Sequence, residues 1–267
     1  MKKRIFFCSD IHGNFDALIE GLEKAGYKED DKNNLLVVLG DLFDRGTDSL
    51  RVYQYLKRLS DENKAIITMG NHEGFLIRYL DGTSISPFNY LRNGTDETLA
   101  DFLGRTKPFE SWCFIDKELE YPTDESFAEW ISIAKDDINK EYPELLSWLK
   151  SLPRYFESKN YIGVHGAIDT RAEDWHNPHC VLSGYVDWDA LDFDDGTFFG
   201  KNINNTDKTV VIGHFGTRHL REIYGISDGK EDNDILIRED GRIVALDATT
   251  ILTNKINVFV VEDELLE

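Results

Sequence analysis

The run Leu35-Leu36-Val37-Val38-Leu39 leads straight into Gly40-Asp41-Leu42-Phe43-Asp44-Arg45-Gly46, and it constrains the fold more than any other part of the chain. Five consecutive apolar residues bounded by a glycine read as a strand buried on both faces, which demands covering layers above and below it. Two carboxylates and a guanidinium just past such a strand are costly to desolvate unless a cation or an anion binds among them. In open α/β sheets that edge is also where ligands collect. Asp41 is therefore a candidate metal ligand, and Arg45 a candidate holder of an anionic group.

The same order of strand, polar turn and helix recurs on both sides. Arg4 to Ser9 ends in Asp10-Ile11-His12-Gly13-Asn14, and Leu18, Leu22 and Ala25 follow at helical spacing with Gly26 as the expected cap. The key strand is followed by a helix through Leu50, Tyr53, Leu56 and Leu59. Ala65 to Met69 then ends in Gly70-Asn71-His72-Glu73, ahead of a helix through Phe75, Leu76 and Tyr79. Three such units in succession predict a largely parallel sheet. Further on, Tyr161 to Val164 ends in His165-Gly166-Ala167, and Thr209 to Ile212 ends in Gly213-His214-Phe215-Gly216. Three tail runs, Ile235 to Arg238, Arg242 to Leu246 and Asn257 to Val261, predict an antiparallel portion, with Glu239-Asp240-Gly241 as a hairpin turn. From about 86 to 152 the pattern is helical, with Trp112, Trp130 and Trp148 read as core. No cluster there looks chemical, so this stretch is expected to be an insert that covers the site. Lacking linkers or repeats, the chain reads as one domain over residues 1–267.

Composition narrows the function. The 267 residues carry 30 basic against 50 acidic side chains, a formal charge of −20. A surface that acidic argues against a large duplex-nucleic-acid or anionic-membrane footprint, while leaving room for a small phosphorylated substrate in a local positive site. Cys8, Cys113 and Cys180 are too few and too scattered for a disulfide framework or a thiolate zinc site. The apolar run after Met1-Lys2-Lys3-Arg4 stops at Cys8, and no window approaches a membrane span, so the expected location is cytoplasmic.

Five predicted strand ends thus carry Asp10-x-His12, Asp41-x-x-Asp44-Arg45, Asn71-His72-Glu73, His165 and His214. Carboxylate, imidazole and amide oxygen together suit hard or borderline divalent ions. Six ligands exceed one open mononuclear site, whereas two metals roughly 3.5–4 Å apart, bridged by a carboxylate, would use them all. His176, His179 and His219 read as surface or structural histidines, and the acidic run Asp187 to Asp195 as a solvated loop.

These motifs, in this order, resemble those of the calcineurin-like metallophosphoesterases, and more closely the phosphoprotein-phosphatase branch. That branch includes bacterial and phage-type Ser/Thr phosphatases and symmetrical diadenosine tetraphosphatases. The resemblance implies an α/β (α+β) fold: a four-layer αββα sandwich of two mixed sheets flanked by helices. It implies two divalent ions, manganese first, with Fe, Zn, Ni or Co as alternatives. Asp10 and His12 would bind the first metal, Asp41 would bridge, and Asn71, His165 and His214 would complete the pair. His72 would protonate the leaving alkoxide after attack by metal-bound hydroxide, Asp44 would orient it, and Arg45, with Asn71 and His72, would bind the phosphate. Asn93-Gly94-Thr95 resembles a loop near the site in bacterial relatives. The chain departs from the branch before the fifth motif, where Val186-Asp187-Trp188-Asp189-Ala190 lacks a second phosphate-binding arginine; Arg171 or Arg218 would have to substitute. The expected activity is phosphomonoester hydrolysis on a phosphopeptide or small molecule. The alternative is hydrolysis of a dinucleoside polyphosphate or other nucleotide, with Trp112, Tyr90 or Trp175 as an adenine slot. A catalytically silent binding module ranks third. Oligomeric state is left open.

Overall fold

The computed structural model describes residues 2–83, 91–106, 125–177, 180–182 and 197–266. The key run forms β2 (Asn34–Leu39), flanked in parallel by β1 (Lys2–Cys8) and β3 (Ala65–Thr68). β11 (Phe259–Glu264) closes the other edge of β1 in antiparallel register, Ile5 opposite Val261. A second sheet has the order β4 (Tyr155–Glu157), β5 (Tyr161–Val164), β8 (Thr209–Ile212), β10 (Ile243–Ala245), β9 (Leu236–Ile237), with β5, β8 and β10 parallel. A short antiparallel ribbon pairs β6 (Ala167–Ile168) with β7 (Val181–Leu182).

Strand periodicity then sorts the side chains into layers. Ile5, Phe7, Leu35, Val37 and Leu39 face the second sheet and pack on Phe156, Val211, Val244 and Leu246. Their neighbours Phe6, Cys8, Leu36 and Val38 point the other way, under α1 (Phe15–Lys24), α2 (Ser49–Asp61) and α3 (Asn71–Leu80). On the far side Ile162, Val164, Val210 and Ile212 are covered by Leu220 of α7 (Thr217–Tyr224) and by Trp175, Phe198 and Phe199. This is the four-layer αββα sandwich. At Gly163 the two sheets come so close that a Cβ would sit 2.8 Å from Leu39 Cδ2, so glycine is the residue that lets them meet.

α1 ends as its spacing predicts. Gly26 takes φ 76°, its N–H donates to Glu23 O, and the Tyr27 N–H donates to Leu22 O, a Schellman cap. Leu99 and Phe102 of α4 (Thr95–Leu103), Ala134 and Ile138 of α5 (Glu125–Glu141), and Trp148 and Leu149 of α6 (Leu145–Ser151) share one core with α1–α3. Trp148 is buried there and Trp130 packs against it half-buried; Trp112 and Tyr90 lie outside the described residues.

The tail corrects one expectation. Its three runs do not form one antiparallel portion: β9 and β10 make the expected hairpin, but β10 also runs parallel to β8, and β11 crosses to the first sheet. Crossing lets β11 lock the two sheets together. Asp263 accepts hydrogen bonds from Ser158 Oγ (2.7 Å), the Asn160 N–H (2.8 Å) and Asn160 Nδ2 at the β4–β5 turn. Burial pushes the Asp263 carboxyl up, but these donors outweigh it and hold the group below its usual range. A carboxyl held low stabilises the fold above the unfolded pKa of about 3.9, and that contribution fades as pH falls through the folded value. Asp263→Ala is expected to cost about 2 kcal/mol near neutral pH, since it removes a charged acceptor and leaves the buried Ser158 hydroxyl without it. Urea denaturation of both proteins at pH 7 and pH 3 checks this: the gap should shrink at the lower pH. Among the described residues, no helix is long and apolar enough to cross a membrane.

Candidate metal centre

The parallel strands of both sheets end at one edge, and each motif begins where a strand stops. Asp10 and His12 follow β1, Asp41 follows β2, Asn71 opens α3 after β3, His165 follows β5, and His214 follows β8. Contacts across the edge tie these turns together, both within the second sheet and between the two sheets. His165 Nδ1 donates to Leu39 O (2.8 Å), the Gly213 N–H donates to His165 O (2.8 Å), and the His214 N–H donates to Asp10 Oδ2 (2.9 Å).

The turns are tight and strained. Asp10, His12, Asp41, Asp44, Arg45 and His214 all have positive φ, six of the nine non-glycine residues with that conformation among those described. The left-handed region costs an L-residue about 1–2 kcal/mol. Its concentration here marks a site whose geometry outranks local comfort. Glycine permits the close approaches: a Cβ on Gly46 would lie 2.1 Å from His12 O, and one on Gly70 would lie 2.3 Å from Asp41 Oδ1.

Asp41 stands at the middle. Its Oδ1 lies 3.3 Å from His165 Nε2, and its Oδ2 lies 3.8 Å from both His12 Nε2 and His72 Nε2. Two ligand-capable groups therefore share this one carboxylate, His12–Asp41–His72 and Asp41–His165–His214, with the donor atoms of each within 4.8 Å of one another. Asn71 Oδ1 joins the second at 2.9 Å from His165 Nε2. Asp10 lies outside both donor sets, its carboxylate accepting the His214 N–H. A buried, oxygen- and imidazole-rich set without thiolates fits a pair of hard or borderline divalent cations.

Outer partners fix which ring nitrogen faces inward. His12 Nδ1 donates to Phe43 O (3.0 Å) and His165 Nδ1 to Leu39 O, so both present Nε2. Burial, aided by the charge on His165, lowers His214 to about 3, which keeps it in the neutral, lone-pair-bearing form. Burial also opposes charge on His165, but the Asp41 carboxylate wins and pushes this imidazole up to about 10.

Beside the cluster, His72 Nδ1 lies 2.7 Å from Asp44 Oδ2. The Arg45 guanidinium spans two rings, with Nη1 3.1 Å from His12 Nε2 and Nη2 3.1 Å from His72 Nε2. Neither proposed substitute arginine joins it. Arg171 pairs with Asp169 and Arg218 with Glu222, both on exposed side chains. Trp175 is buried in the second core and His176 stacks on it at 4.0 Å while pairing with Asp174 and Glu157, so Trp175 is core and forms no open adenine slot. His219 is exposed; His179 and the stretch from Val186 to Ala190 lie outside the described residues.

Sequence reasoning gave no role to Glu73, Asp247 or Thr98, and pointed to Thr95 only through the resemblance of its loop. Glu73, given no role, accepts hydrogen bonds from the N–H groups of Asp41 (2.9 Å), Leu42 (2.8 Å) and Gly70 (2.9 Å), fixing the central turn. Its position three residues after the helix cap is the capping-box position, and that signal was available. Burial, then the Asp41 charge, pushes its carboxyl up to about 7. Asp247 is buried after β10 and accepts the Thr249 N–H at 2.7 Å, another carboxylate at a strand end. Thr95, in the Asn93-Gly94-Thr95 loop expected near the site, and Thr98, which nothing in the spacing announces, both reach Asp44 from the insert.

A family model for calcineurin-like phosphoesterases matches residues 3–246. The bis(5'-nucleosyl)-tetraphosphatase PrpE [asymmetrical] of Halalkalibacterium halodurans is 32% identical over 98 residues, 34% of this chain and 38% of that protein. The symmetrical bis(5'-nucleosyl)-tetraphosphatase of Buchnera aphidicola is 43% identical over 72 residues, 27% of this chain and 25% of its own length. The matches thus span well under half of these curated relatives. In fold the chain is similar to a putative diadenosine tetraphosphatase, with TM-score 0.57 and 15% identity over 99% of this chain and 95% of the other. It is also similar to a protein serine/threonine phosphatase from Saccharomyces cerevisiae, with TM-score 0.54 and 14% identity over 99% and 81%. With that match running from β1 past β10, and the motif residues gathered at one edge of the sandwich, the chain belongs to the calcineurin-like phosphoesterase family.

Proposed function

We propose that this chain is a two-metal phosphoesterase that hydrolyses phosphate monoesters. The observation that carries the reading is the Asp41 carboxylate shared by two ligand groups, with a guanidinium and an Asp-paired imidazole beside it. Asp10, His12, Asp41, Asn71, His165 and His214 would hold two divalent cations, manganese being our first choice. When bound, such a pair supplies Lewis acidity and an acidified water. The chain supplies the rest. Arg45 grips the phosphoryl oxygens through its planar fork. As the imidazolium, protonated on both nitrogens, His72 delivers the Nε2 proton to the leaving oxygen as its bond to phosphorus breaks and water adds, while Asp44 keeps Nδ1–H in place and balances the ring's charge.

A second reading, dinucleoside polyphosphate hydrolysis, is favoured by the names of the sequence relatives and by Arg171 and Arg218 pairing with Asp169 and Glu222 instead of joining Arg45. Initial rates on an aryl phosphate, a phosphoserine peptide and diadenosine tetraphosphate, with and without added Mn²⁺, test both. We expect turnover that a chelator abolishes and Mn²⁺ restores, with the monoesters preferred. Preference for the dinucleotide would move the substrate to the second reading, and metal-independent turnover would overturn both.

A further inference from the structure

We propose that Thr95 and Thr98 of α4 are positioning residues for the His72 imidazole and act on it through Asp44. This inference rests on the reading of His72 as the group that protonates the leaving oxygen. The Asp44 side chain is completely buried and receives three donors: His72 Nδ1 at 2.7 Å and Thr95 Oγ1 at 3.0 Å on Oδ2, and Thr98 Oγ1 at 2.7 Å on Oδ1. Both threonines are themselves fully buried, so water cannot replace them. Thr98 does more, because its Oγ1 also accepts the N–H of Asp44 at 2.8 Å. An oxygen already accepting from that N–H turns its own proton toward the carboxylate, so the direction of the Thr98 hydrogen bond is set by its surroundings.

That double contact lands on the strained part of the site. Asp44 and Arg45 have φ 70° and 72°, two consecutive left-handed residues without a glycine between them. Thr98 clamps the first by both its backbone and its side chain. The clamp holds the carboxylate against Nδ1, which fixes the ring's tautomer and leaves Nε2 pointing at Arg45 Nη2, 3.1 Å away. A carboxylate with one oxygen released would turn about its own side-chain bonds, and the imidazole would lose both its angle and its assigned proton position. The insert is thereby part of the apparatus that aims the acid, since the helix donating these hydroxyls belongs to it.

The test compares wild type with Thr95→Val/Thr98→Val, which keeps shape and removes both hydroxyls, and with Thr98→Ser, which keeps the hydroxyl. Substrates are a phosphoserine peptide, whose alkoxide leaving group needs a proton, and p-nitrophenyl phosphate, whose phenolate does not. The double variant should lose about 10–100-fold in kcat on the peptide with KM little changed, and far less on the aryl ester; Thr98→Ser should keep wild-type behaviour. Independently of activity, the ¹⁵N shifts of His72 should show Nδ1 protonated in wild type, both in the imidazolium that also carries the Nε2 proton and in the neutral ring left after its delivery, and a mixture of the two neutral tautomers in the double variant. Equal losses on both substrates, or a tautomer unmoved by the valines in a protein that melts like wild type, would overturn the inference. A wild type that turns over neither ester while its tautomer still responds to the valines would overturn the proposed function and leave the positioning role standing.

Discussion

Asp41→Asn is expected to lower metal-supported turnover by roughly a thousandfold, because several kcal/mol of electrostatic stabilisation depend on metal binding and each 1.36 kcal/mol is tenfold in rate. The substitution is close to isosteric, and the amide oxygen can still accept the His72 N–H that Asp41 Oδ1 accepts at 3.1 Å. What it removes is the negative charge shared by two ligand groups, together with the second anionic oxygen. Metal affinity should therefore fall along with rate, and calorimetric titration with Mn²⁺ should show fewer or weaker sites in a protein whose melting curve is preserved. Wild-type turnover in this variant would remove the central assignment of the proposal.

His72→Asn should cost about 10²–10⁴ in kcat on a phosphoserine peptide, the usual range for a positioned general acid. The loss should shrink with an aryl phosphate, whose leaving group is stable without a proton. KM should change little, since Arg45 remains to grip the phosphoryl group. This pattern separates two roles the geometry alone allows, because His72 Nε2 lies close enough to Asp41 and His12 to be counted with them as a ligand. A ligand's loss would depress both substrates alike and would be partly offset by raising the Mn²⁺ concentration. Equal, metal-rescuable losses would move His72 from acid to ligand.

The elements of the sandwich are legible in the chain because each rests on a local periodicity. Leu35 to Leu39 needs cover on both sides whatever surrounds it, and it finds the second sheet on one face and helices on the other. The motif positions are legible for a related reason: parallel strands deliver their carboxyl ends to one edge, so polar residues just past each strand must meet there. Asp247 obeys the same rule and escaped only because the tail reads locally as a hairpin.

What the sequence determined by itself is therefore the principal strands, the helices that follow the first three of them, the faces these bury and the edge where the polar residues collect. Only the tertiary structure decided which atoms are partners. Thr98 and Asp44 are 54 residues apart, His165 and Leu39 are 126 apart, and His214 and Asp10 are 204 apart. Hydrogen bonds between such residues leave no period in the chain, because a threonine that donates to a buried carboxylate looks in sequence like any other threonine on a helix. The path of β11 across to the first sheet is of the same kind. Its apolar residues fit either sheet edge, and the buried acceptor Asp263, meeting Ser158 and Asn160, is what fastens that strand between the two. Local periodicity can fix an element and its faces, while a pairing across the fold becomes visible only once the chain has brought both partners to the same place.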